Sequence, residues 1–146
     1  MKLKLALFSL IIATLTLSAC NKYEEGPFVS FSSPEKRIQG DYIVQSYFIN
    51  NEVILLSEMD ISQYRIVYND NGTGKTYITS GNYTNESDFE WELDEKKENI
   101  RERVLGQNDE WSAWSDFKQI LRLTKTEFWI INNSSLEQTE FHLIEQ

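Results

Sequence analysis

Beyond Ile38 the chain repeats one pattern. Short runs of β-branched and aromatic residues, with apolar and polar positions alternating, are divided by clusters of Asn, Asp, Gly and charged residues. A period of two puts every second side chain on one face, as in a strand with one buried side. The runs fall at residues 40–49, 61–68, 75–80, 88–93, 99–105, 118–123, 127–132 and 140–144, giving about eight strands. Asn71-Gly72 predicts a type I′ hairpin turn, which needs positive φ at both central residues. Gly81-Asn82 breaks the next pair, residues 95–98 form a charged turn, and residues 106–110 form a polar loop. The one helical alternative, residues 95–103, is charged on all sides. Both prolines, Pro27 and Pro34, precede this region, as suits a continuous hydrogen-bonded sheet. Evenly spaced strands joined by hairpins predict an all-β, antiparallel up-and-down meander closing into a barrel, or a sandwich.

The first twenty residues follow a different rule. Lys2 and Lys4 make a basic start, residues 5–16 carry no charge, and Leu17-Ser18-Ala19 leads directly into Cys20, the single cysteine. A basic end, an apolar run of about a dozen residues and a small-residue cleavage site describe an export signal, short for a bilayer span. Leu-Ser-Ala-Cys resembles a bacterial lipobox, in which diacylglycerol alkylates the cysteine thiol and the cysteine becomes the mature N-terminus. Residues 1–19 are thus expected to be a signal peptide, residues 20–36 a lipidated tether and clasp, and residues 37–146 the barrel domain. The resemblance implies a lipoprotein of the cell envelope, held at the outer membrane through Cys20 with either face open. Asn21-Lys22-Tyr23-Glu24-Glu25 is similar to a signal that sends some lipoproteins to the cell surface; a solvated linker is the competing reading. Phe28, Val29 and Phe31 are expected to pack back on the domain as a short strand.

Charge narrows the partners. Removal of residues 1–19 takes away two lysines and no acid, so the formal charge moves from −9 to −11. Such a surface disfavours nucleic acid and gives no attraction to anionic headgroups. Membrane attachment therefore falls to the acyl groups, each buried methylene contributing about 0.8 kcal/mol. With 13% aromatic residues the chain is too rich for disorder, and without a cysteine pair the domain must hold by packing alone.

Several short stretches carry a resemblance. Gly26-Pro27-Phe28-Val29-Ser30, Arg37-Ile38-Gln39-Gly40-Asp41-Tyr42-Ile43-Val44 and Phe48-Ile49-Asn50-Asn51 look like the opening of small lipocalin-like bacterial lipoproteins. Asn71-Gly72-Thr73, Phe89-Glu90-Trp91 and residues 120–129 follow in that family's order. The family has Gly-x-Trp where this chain has Gly40-Asp41-Tyr42, so Tyr42 takes the place of the tryptophan on the barrel floor. The resemblance implies an eight-stranded barrel, wide enough for one small ligand or for side chains alone.

Candidate chemistry concentrates in residues 88–103. Phe89, Trp91 and Leu93 alternate with four carboxylates. A turn at 95–98 sets Asp94 against Asn99, Glu92 against Arg101, Glu90 against Arg103, and Glu102 against Trp91 on the inner face. A carboxylate in an apolar lumen is costly unless paired, which makes Glu102 a candidate ligand contact. A slipped register or a bulge turning Glu102 outward is the competing and favoured reading. Tyr42 and Trp91 complete the candidate ligand-facing set. The acid row could ligate calcium, but carboxylates two apart on one strand do not converge, and the arginines neutralise them. Gly72-Thr73-Gly74-Lys75-Thr76 lacks the first glycine of a phosphate loop, having Asn69 there, and a strand rather than a helix follows. Trp111 and Trp114, three apart, cannot share one face of a strand, which suggests a rim position. The one histidine, His142, lies between two inward residues. No nucleophile elbow or metal-ligand spacing appears.

The expectation is a non-catalytic, cofactor-free, lipid-anchored barrel binding a small apolar or amphipathic molecule. The alternative is an interaction lipoprotein with a filled barrel, contacting another envelope protein or a glycan.

Overall fold

The computed structural model describes residues 32–134 and 136–146. The signal peptide, Cys20, the tether to Phe31 and the proposed strand at Phe28–Phe31 lie outside the described residues.

A short helix, α1 (Pro34–Ile38), precedes nine strands: β1 (Gly40–Ile49), β2 (Glu52–Ile54), β3 (Gln63–Tyr68), β4 (Thr73–Ser80), β5 (Tyr83–Leu93), β6 (Asn99–Val104), β7 (Lys118–Leu123), β8 (Glu127–Asn133) and β9 (Gln138–Glu145). Eight of them, β1 and β3 to β9, pair antiparallel in chain order, and β9 pairs back onto β1 to close the barrel. The closed up-and-down barrel follows from alternation and hairpin-length connections, and closure removes the free edges of the sheet. The ninth strand, β2, is an extra one on the far half of β1. It was hidden in the sequence because Glu52-Val53-Ile54 is too short to show a period.

Two turns depart from expectation. Gly72 has φ +77°, but Asn71 is not in the positive region, so the β3–β4 connection is not a type I′ hairpin. The Asn71 side chain instead accepts from the Thr73 amide and hydroxyl, at 3.2 and 2.6 Å, building the bend from a carboxamide. Consecutive positive φ values occur at Asn50 (51°) and Asn51 (67°), which turn β1 into β2. Asparagine tolerates this region because its short polar side chain bonds locally. Residues 95–103 are not helical. They form the tight turn, where Asp94 accepts from the Glu98 and Asn99 amides, and then β6.

Inward positions fill one half of the barrel completely. Tyr42, Phe128, Ile100, Ile120, Leu123 and Leu143 are wholly buried there. The Tyr42 ring meets Tyr68 and Phe128 at centroid distances of 6.1 and 6.0 Å. Gly74 lies under the Phe89 ring, where a Cβ would come within 2.1 Å of it. The helix α1, started by Ser33 and Pro34, closes this end. The Tyr42 hydroxyl donates to the Arg37 carbonyl at 2.8 Å, Arg37 donates to the Leu123 carbonyl at 2.6 Å, and Ile38 is fully buried. Pro34 to Lys36, which the sequence grouped with the tether, thus lie in the helix that closes the barrel. The opposite end, where β1 finishes and β3 begins, carries β2 and a single 3-10 turn (Leu56–Met59) whose Leu56 packs against the core.

Candidate functional site

Above the floor of Tyr42, Tyr68 and Phe128 the lumen opens into a cavity of about 200 Å³. Its wall is aromatic and aliphatic, with Tyr64, Ile66, Phe89, Ile130 and Phe141 prominent, and Val104 at its rim is 45% exposed. Bulges shape the wall. The register of β1 on β9 shifts between Val44 and Ser46, and that of β7 on β8 between Ile120 and Arg122. Each bulge restarts the alternation by one residue, so that Leu123 as well as Ile120 is buried in the core.

One charged pair interrupts this wall, which also carries the hydroxyls of Thr76 and Ser87. The β5–β6 register pairs Glu90 with Arg103, Trp91 with Glu102 and Glu92 with Arg101. Glu102 therefore points inward, and the outward reading is set aside. Its Oε1 accepts from the Tyr68 hydroxyl at 2.7 Å, and its Oε2 accepts from Lys118 Nζ. Both ionic side chains are about one-fifth exposed, 19% for Glu102 and 20% for Lys118. A half-enclosed charge is tolerable when it is paired and hydrogen-bonded, and this one is both. Burial, reinforced by the charge of Glu102 and the hydrogen bond to it, raises the Tyr68 phenol well above its ordinary pKa. Burial likewise pushes Tyr64 up to about 12, with the charge of Glu102 adding to it.

Of the three sequence candidates, only Glu102 stands on the cavity wall. Tyr42 belongs to the sealed floor. Trp91 is also buried at the closed half, where its indole N–H donates to the Thr73 carbonyl at 3.0 Å. Lys118 and Tyr68 went unnoticed as members of the site. The signal for Lys118 was its position two before the inward Ile120, combined with the need of an inward carboxylate for a cation on the next strand.

Outside the barrel, the acid row is neutralised as expected. Arg101 donates to Glu92 at 2.6 Å and Arg103 to Glu90 at 2.7 Å. Among the described residues no group of three or more His, Cys, Asp or Glu side chains is placed to hold a metal ion. His142 also faces outward, stacked on Trp129 with centroids 3.9 Å apart and hydrogen-bonded to Glu140.

Trp111 and Trp114 do not cap the lumen. Residues 111–117 run along the outer wall, Arg103 lying over the rings of Trp111 and Trp114 (5.3 and 4.8 Å) and Arg101 over those of Trp114 and Phe117 (5.1 and 4.7 Å). The arginine row that pairs the acids also presents a cation to each ring, which draws the segment onto the wall.

The chain matches no family model, no curated protein and no solved structure.

Proposed function

We propose that the protein is a lipid-anchored envelope receptor, processed at Cys20, whose barrel binds a small apolar or amphipathic molecule without catalysing its conversion. The observation that carries the binding reading is the cavity of about 200 Å³, apolar along most of its wall and holding one compensated ion pair. Binding sites have this character, mostly apolar surface with few, well-placed polar groups. Support for the anchor comes from Leu17-Ser18-Ala19-Cys20 behind an uncharged run, and from a net charge that gives the protein no other affinity for an anionic bilayer.

Native mass spectrometry on protein purified from its own host tests the binding reading. A retained non-covalent mass that disappears on denaturation is the expected result; a bare polypeptide carrying only its acyl groups speaks against it. Cys20→Ala tests the anchor, the expected result being an unprocessed precursor without lipid.

A second reading, an interaction module, draws on the exposed apolar side chains of the connections at the open end. Val53, Leu55, Tyr83 and Leu136 are 58, 56, 85 and 95% exposed. It predicts a co-purifying protein in place of a small-molecule mass.

A further inference from the structure

The ion pair in the lumen says more about the ligand than the apolar wall does. Glu102 and Lys118 neutralise one another, so the cavity presents no net charge to a molecule inside it. A ligand carboxylate drawn to Lys118 meets Glu102 at almost the same distance, and a ligand ammonium drawn to Glu102 meets Lys118. Either gives up its hydration for a field that nearly cancels. An uncharged group avoids that cost. Lys118 has three N–H donors and Glu102 about four acceptor positions. Tyr68 and the pair itself use one donor of Lys118 and one acceptor position on each oxygen of Glu102. A hydroxyl can accept from the first and donate to the second at once.

Size sets the rest of the molecule. An apolar cavity of about 150 Å³ accommodates benzene, and this one, at about 200 Å³, takes one ring with a short substituent or an alkyl chain of similar bulk. The ring would lie among Ile66, Phe89, Ile130 and Phe141, with its substituent toward Glu102 and Lys118.

We infer that the lumen is selective for uncharged, hydroxyl-bearing amphiphiles of one-ring size, the hydroxyl bridging Lys118 and Glu102. This rests on the proposed reading of the barrel as a ligand receptor and specifies the ligand's chemical class.

Four probes of nearly equal shape test it: benzyl alcohol, toluene, benzoate and benzylamine. The processed, lipidated chain is held in lipid nanodiscs, with empty nanodiscs as the reference for partition into lipid. Affinity and location are read by NMR, from titration shifts and from ring-to-methyl NOEs to Ile66 and Ile130. Benzyl alcohol is expected to bind at least about tenfold more tightly than each of the other three, a difference of about 1.4 kcal/mol. Lys118→Met should move the preference to benzylamine and Glu102→Gln to benzoate, a reversal that loss of packing alone does not produce. If either variant fails to fold, the ranking on the unaltered protein decides. Benzoate, benzylamine or toluene matching benzyl alcohol overturns the selectivity and leaves the receptor reading standing. Absence of lumenal NOEs with all four probes removes the receptor reading as well.

Discussion

Glu102 shows what a single inward carboxylate demands of a barrel. Its position was legible in the sequence because β5 and β6 alternate cleanly and the turn between them fixes the register to the residue. Its orientation was doubted because the partner that makes it tolerable sits on β7, sixteen residues on, and pattern within one hairpin does not reveal a neighbour across the next seam. Removing one member of the pair should cost more than removing both. Lys118→Met leaves the carboxylate to the Tyr68 hydroxyl alone, for which an expected loss of about 1–3 kcal/mol in denaturant unfolding is reasonable. The same change combined with Glu102→Gln should recover most of that loss, since an enclosed ion pair contributes little net stability against neutral groups of similar size. A loss in the double variant equal to the sum of the two single losses would show that the pair is not coupled. The phenols beside it give the barrel an alkaline limit. Tyr64 is raised to about 12 and Tyr68 is raised as well, both chiefly by burial, whereas an unfolded phenol ionises near pH 10. The folded state therefore keeps protons that the unfolded chain gives up. Stability is full below about pH 10 and falls as the pH rises toward about 12. Phenolate absorbance from these two residues should appear together with the loss of β-sheet circular dichroism; smooth ionisation in an intact barrel would contradict it.

At the scale of elements, the informative feature is the seam between β6 and β7. Their direct pairing is confined to Asn99 with Gln119 and Ile100 with Lys118. Beyond that point the segment 111–117 takes over the edge of β6 through two serines. Ser112 donates its amide to the Val104 carbonyl and accepts from the Val104 amide through its hydroxyl, at 2.9 and 3.0 Å. Ser115 does the same with Glu102, at 2.8 and 3.1 Å. Trp111, Trp114 and Phe117 recur every three residues, matching the serine spacing and placing each ring against an arginine. The spacing of Trp111 and Trp114 is visible in the sequence but its meaning is not, because a repeat of three belongs to neither helix nor regular strand. Turn chemistry misled for a related reason: Asn71-Gly72 carries the stronger hairpin signal, yet the local carboxamide bonds of Asn71 win there, while the I′-like backbone falls at Asn50-Asn51. If the serines hold the seam, replacing both Ser112 and Ser115 with Ala removes two hydroxyl acceptors. The expected cost is about 1–3 kcal/mol in total, and the amides of Glu102 and Val104 should exchange with deuterium faster while those of β8 do not. Unchanged exchange at these two amides would show that the serine hydroxyls do not hold the seam.

For the whole molecule, the two ends of the barrel have different tasks. The described chain begins at the closed end, where α1 is pinned to Tyr42 and Leu123, and where Lys97 of the β5–β6 turn pairs with Glu35 at 2.6 Å. On the proposed reading, a lipid on Cys20 draws the barrel to the bilayer by this end, because the described chain starts there. Barrel strands of six to eleven residues separate it from the mouth by roughly 20–30 Å. The cavity then faces water rather than acyl chains, which agrees with a ligand soluble enough to arrive through the aqueous phase and too small to be a membrane lipid. The acidic surface adds to this, since it offers an anionic bilayer no attraction that would tip the barrel onto its side. The orientation can be measured because Cys20 is the single cysteine of the sequence and, under the proposed processing, its sulfur is alkylated, so an introduced thiol labels alone. Lys96→Cys places a fluorophore on the closed end, and Asn82→Cys places one at the mouth; both residues are exposed. In nanodiscs containing a lipid with a nitroxide on its headgroup, the label at 96 should be quenched markedly more than the label at 82. Equal quenching, or stronger quenching at 82, would mean that the mouth meets the bilayer, and the ligand would then have to come from the membrane itself.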